Sequence, residues 1–201
     1  MGRRSIVEQY SIATMEKRIE IILDNYSNFT RMLDGYVESL SIVIRNEREY
    51  NRSVHFRSND IRVQTSNISD ITSRIAIENV SIQEAINTGD ADSALKGTDM
   101  FASHRWEIET ICMMRDDYII VNGALKLLRD NEYNLYISYL NRKKSCIDFV
   151  EETGITYEGI RSRLYRCRNN VKKMAVEFMT IRSKNYGAAD RYSAGNLVYA
   201  A

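Results

Sequence analysis

The chain has 201 residues and no proline, with only three cysteines, two histidines and one tryptophan among them. Without proline no helix is forced to break where a ring would remove a backbone N–H, so long uninterrupted helices are open throughout. Cys112, Cys146 and Cys167 are an odd, scattered set with no Cys-x-x-Cys, which excludes a disulfide framework and a zinc ribbon. His55 and His104 are too few for a His/Cys zinc cluster, so no metal is expected. No run approaches the ~20 apolar residues that span a bilayer, and no apolar stretch follows Met1-Gly2-Arg3-Arg4 as a signal peptide would need. The sequence therefore reads as cytoplasmic, without a membrane partner. Charge of one sign is also missing: 28 Lys and Arg face 27 Asp and Glu, a net +1. That total argues against a uniformly basic nucleic-acid coat.

Enzyme motifs are absent as well. There is no GxxxxGK[ST] phosphate loop and no Gly-x-Ser-x-Gly elbow. Asp116-Asp117 and Glu107/Glu109 spread around a helix axis and do not form a carboxylate pair by themselves. Cys146 and Cys167 have no neighbouring histidine in sequence to activate them. Neither catalysis nor a cofactor is expected.

What is present is periodicity. Ile12, Met15, Ile19, Ile22, Tyr26, Phe29, Leu33, Tyr36, Leu40 and Val43 alternate steps of three and four, the seam of a coiled coil. Thirty-two helical residues would span about 48 Å, too long for a lone helix in a compact domain, so the seam calls for a partner. A polar stretch near residues 51–67 reads as a loop, and Ile71, Ile75, Ile82 and Ile86 then mark a helix. Asn87 to Asp99 reads as a second loop; its Asp90 and Asp92 suggest half an EF-hand, but Ala94 and Leu95 stand where an oxygen ligand and a glycine are needed. From about Ser103, Ile111, Met114, Tyr118, Val121, Leu125 and Leu128 form a second seam, with Trp106 near its start as a core or interface anchor. The two seams could pair as a hairpin within the chain or as a zipper between two copies.

Beyond residue 141 the charge divides. Residues 142–184 carry eleven Lys and Arg against five Asp and Glu, a net +6 that leaves −5 for residues 1–141. Within that basic part, Ser145 and Asp148 form a capping-box pair, and Ile147 and Val150 supply the inner face of a short helix. Gly154 suits a left-handed C-terminus, Ile155 plugs the turn, and Thr156 can cap the next helix, with Glu158 in its first turn. Ile160, Leu164, Cys167, Val171 and Met174 then form one buried stripe. Opposite it lie Glu158, Ser162, Tyr165 and Asn169, flanked by Arg161, Arg166 and Lys172. Two short helices around a glycine turn are a helix-turn-helix unit, and a polar face rimmed by arginine suits the major groove.

The run from Phe149 to Arg168, with its Gly154-Ile155-Thr156 turn and Arg161-Ser162-Arg163-Leu164 helix, resembles the helix-turn-helix of sigma-70-type factors that reads the −35 promoter element. Ala124 to Leu128 and Glu132 to Tyr136 resemble the leading helices of that module, and the likeness covers roughly residues 118–175. A helical region ahead of such a module also resembles phage late-gene transcription regulators of the ArpU and RinA type. No polymerase-core-binding sigma region precedes it, so the resemblance implies a regulator, not a complete sigma factor. It implies that Thr156, Tyr157, Glu158, Arg161 and Ser162 face the bases or the turn beside them. Lys143, Lys144, Arg163 and Arg166 would contact phosphates.

The expected architecture is all-α: a long heptad-patterned helical hairpin or coiled coil, then a C-terminal helix-turn-helix. Residues 1–117 would be the helical oligomerisation region, 118–182 the DNA-binding domain and 183–201 a disordered tail. Expected partners are double-stranded DNA and a second copy, a dimer being favoured, with RNA polymerase a further candidate. The alternatives are a phage terminase small subunit that recognises packaging DNA, and a coiled-coil adaptor that binds protein only.

Overall fold

The computed structural model describes residues 5–58 and 71–195, and every regular element among them is helical. The order is α1 (Ile6–Ser11), α2 (Met15–Asp24), a 3-10 turn (Tyr26–Asn28), α3 (Phe29–Ser58), α4 (Ile71–Thr88), α5 (Ala91–Leu95), α6 (Phe101–Lys126), α7 (Asp130–Leu140), α8 (Cys146–Thr153) and α9 (Tyr157–Gly195). Two compact units result: Met1–Ser11 with Thr30–Arg115, and Ile12–Phe29 with Asp116–Ala201. Residues 12–29, read in sequence as part of the oligomerisation region, thus belong with the C-terminal half.

The first seam is not one helix. Thr14 opens α2 by accepting a hydrogen bond from the Lys17 N–H. Asn25 closes it: its backbone N–H turns back to Ile21 O and Ile22 O, and its side-chain amide donates to Ile21 O at 2.8 Å. Asparagine competes with the helical ladder in this way, and a single 3-10 turn follows before α3 begins. Ile19, Ile22, Phe29, Leu33 and Leu40 are buried as the spacing predicts, but Ile12 is 70% exposed and Val43 48%. In α3 the buried apolar positions after Phe29 are Leu33, Val37, Leu40 and Ile44, so Val37 and Ile44 take the places expected for Tyr36 and Val43. Steps of three and four fit both sets, and only the packing partner chooses the phase.

In the second unit the two seams meet. Tyr118 of α6 stacks on Phe29 (centroids 5.3 Å apart) and tilts against Tyr26 (5.7 Å). The Tyr26 hydroxyl donates to Asn122 Oδ1 at 2.6 Å. Ile111, Met114, Val121, Leu125 and Leu128 are all buried, as their spacing predicts. Asp117, next to this stripe and 2% exposed, forms an ion pair with Arg18 of α2 (3.2 Å) and accepts from Arg182 of α9 (3.5 Å), while Arg182 also reaches Asp116 at 2.6 Å. The acidic doublet is therefore an ionic tie among three helices.

In the first unit, Glu47 of α3 accepts from the Asp99 and Met100 N–H groups and so caps the start of α6. Burial opposes the Glu47 charge, but those two donors and His104 hold its carboxyl below the usual range. His104 bridges Glu47 (2.9 Å) and Glu107 (3.1 Å). The expected loop at 87–99 contains α5, capped by Asp90 accepting from Ser93 N, and Asp92 pairs with Arg105. Those two aspartates are occupied in capping and pairing. Of the expected loop at 51–67, residues 51–58 are helical: α3 runs on to Ser58, its Arg48 and Arg52 both reaching Glu78 of α4. Residues 59–67 lie outside the described residues. The tail expected to be disordered from 183 is helical to Gly195. Residues added to an existing helix need no nucleation, and no proline stops them. Residues 196–201 lie outside the described part.

Candidate nucleic-acid interface

The α8–α9 segment is held by local devices that its sequence spells out. Ser145 N donates to Asp148 Oδ2 at 2.7 Å and Asp148 N to Ser145 Oγ at 3.4 Å, a closed capping box. The Ser145 N–H, then its hydroxyl, hold the Asp148 carboxyl below its ordinary range. Thr153 Oγ1 donates to Phe149 O, and Gly154 ends α8 at φ +68, where its N–H bonds to Val150 O. Thr156 then caps α9, its Oγ1 accepting from Gly159 N at 3.2 Å.

Two details of packing differ from the sequence reading. Phe149, not Ile147 or Val150, anchors α8: Phe149 is buried, Val150 half-buried and Ile147 61% exposed. An eight-residue helix turns only about twice, so one large side chain decides which face is inward. In α9 the buried stripe runs through Ile160, Leu164, Cys167 and Val171 as expected, then through Ala175 and Met179, with Met174 half-buried. Burial, then the charge of Glu132, pushes the Cys167 thiol up, as suits a packing residue.

The opposite side of α9 is open. Tyr157, Glu158, Arg161, Ser162, Arg163, Tyr165, Arg166 and Asn169 are exposed. The Arg161 guanidinium lies 6.0 Å from the centroid of the Tyr157 ring, and Arg166 Nε donates to Ser162 O at 3.4 Å. Among the described residues Arg161, Arg163 and Arg166 form no ion pair. Six of the predicted site residues, Tyr157 to Arg166, thus share the first three turns of one helix, with Thr156 as its cap.

Lys143 and Lys144 lie apart from this group, in the turn before α8, and neither bonds to α9 among the described residues. Lys143 is exposed, whereas Lys144 pairs with Glu152 at 2.5 Å and sits 5.8 Å from the Phe149 ring. Two features were not read from the sequence. Arg142 adopts φ +55 in that turn, with Lys143 N returning to Ser138 O. Gly159 admits a close approach: a Cβ there would meet Ile155 Cγ2 at 2.8 Å and Thr156 Oγ1 at 3.1 Å. A glycine three residues after a cap is a usable sign of such crowding; nothing in the letters around Arg142 marks its left-handed backbone.

Compared with models of known protein families, with curated proteins and with solved structures, the chain matches none of them.

Proposed function

We propose that the protein is a DNA-binding transcription regulator in which α8, the Gly154–Thr156 turn and α9 act as a helix-turn-helix. The observation that carries this reading is the division of α9 into a buried apolar stripe and an open polar face, rimmed by three guanidinium groups that form no ion pair among the described residues. In the major groove Glu158, Arg161 and Ser162 would reach base edges while Arg163 and Arg166 hold phosphates. Tyr157 supports Arg161 from the first turn. Lys143, exposed before α8, would steady the backbone.

We propose a homodimer as part of the same reading. Val43 (48% exposed), Tyr50 (68%) and Val54 (46%) on α3, with Ile77 and Val80 on α4, leave apolar surface uncovered in the first unit. Two copies would present two modules to adjacent half-sites and raise affinity through effective concentration. RNA polymerase is the second partner the sigma-like pattern points to.

Selection of bound duplexes from a random pool tests the proposal. An enriched sequence is expected, and Arg161→Ala should cost about 1–3 kcal/mol on it while barely altering random-duplex binding. Equal loss on both would assign Arg161 to the backbone. No enrichment, or no duplex binding even at low salt, would reject specific DNA recognition.

A further inference from the structure

Not every cation of the basic segment is free. On α9, Lys172 meets Glu20 at 2.6 Å and Arg168 meets Asp24 at 2.8 Å. The acids are four apart on α2 and the bases four apart on α9, in opposite order, so the two helices run antiparallel with one ion pair per turn. Further along the same line, Met15 Sδ receives the Thr180 hydroxyl at 3.9 Å. The ladder stops at Arg168 because α2 ends at Asp24. One more turn of α2 would fall beside the stretch of α9 that carries Arg161 to Arg166; those guanidiniums form no ion pair among the described residues.

We propose that Glu20 and Asp24 are specificity-determining residues: α2 is an acidic clasp that withholds Lys172 and Arg168 from DNA phosphates and confines contact to the first turns of α9. The inference rests on the DNA-binding reading above. Its physical logic is that phosphate contacts add affinity for every sequence alike, so each cation withheld weakens binding to unrelated DNA more than it weakens base readout. The clasp is well set. The hydrogen bonds from Lys172 and then Lys17 hold the Glu20 carboxyl down at about 2. Burial opposes the Arg168 charge, but Asp24 keeps its guanidinium above the ordinary value.

The test measures binding to a random duplex as a function of salt for the full chain and its variants. Glu20→Gln and Asp24→Asn should each tighten random-duplex binding by roughly 3–10-fold and steepen the slope of log K on log salt by about one. Glu16→Gln removes a carboxylate from the same helix that makes no ion pair among the described residues, and should change little. Lys172→Gln alone should leave random binding unchanged, and combined with Glu20→Gln it should cancel the gain. Equal effects of Glu16→Gln and Glu20→Gln would reduce the result to net charge and overturn the clasp. A loss of random binding in Lys172→Gln alone would show that Lys172 already touches DNA, and would overturn it even if the Glu20 variant failed to fold. If the unaltered protein binds no duplex at low salt, the DNA reading itself falls.

Discussion

Gly154 is the residue on which the α8–α9 turn depends. At φ +68 a side chain is strained whatever space surrounds it, and the space here is open, so the strain is conformational and not a clash. Gly154→Ala should therefore cost about 1–2 kcal/mol of stability, read as a shift in the urea midpoint without a change in slope. Gly159 has the opposite cause: its φ is ordinary, and the objection to a Cβ is the Ile155 methyl 2.8 Å away. The first was legible from its place after a capped helix. The second leaves only a local sign, a glycine three residues after the cap, because the contact itself forms only when the folded turn brings Ile155 back over α9. Likewise Lys144 reads as a free phosphate ligand in sequence, but an eight-residue separation lets Glu152 reach it across α8.

At the scale of elements, the spacing of apolar residues marks the stripes but leaves their phases to packing. Every residue of the second seam except the half-buried Tyr118 is buried. In the first seam, Asn25 ends α2 and the stripe resumes in α3 on Val37 and Ile44. Alternating steps of three and four leave two neighbouring rows almost equally apolar, and packing chooses between them. The Asp116-Asp117 doublet is an element-scale tie, joining α6 to Arg18 of α2 and Arg182 of α9. Removing one member of a buried ionic group takes a partner from the others. Asp117→Ala should therefore lower stability by about 3 kcal/mol, measured by denaturant unfolding. Arg18, 15% exposed at its side chain, would lose this carboxylate.

For the whole molecule, the decisive quantity is where charge and apolar surface remain uncovered. The formal +1 is an acidic part followed by a basic one, and ion pairs in the second unit reduce the free cations of α9 further. Apolar surface remains on α3 and α4. If it is the homodimer contact, changing Val43 and Tyr50 together to Glu should shift the mass in solution from dimer to monomer and leave helicity unchanged. An unchanged mass would place the contact elsewhere. A ring of eight or more copies would favour packaging-DNA recognition over promoter binding.

The sequence by itself determined that the chain is helical, where its apolar stripes run, and that Ser145, Gly154 and Thr156 shape one turn. Each of these is set by residues within about four positions of one another, and local spacing carries that information. Tertiary structure alone decided which row of α3 is buried, that residues 12–29 join the C-terminal unit, and which arginines of α9 stay free. Those outcomes depend on partners such as Asp24 and Arg168, 144 positions apart. No local pattern encodes that pairing, because it exists only once α2 lies along α9.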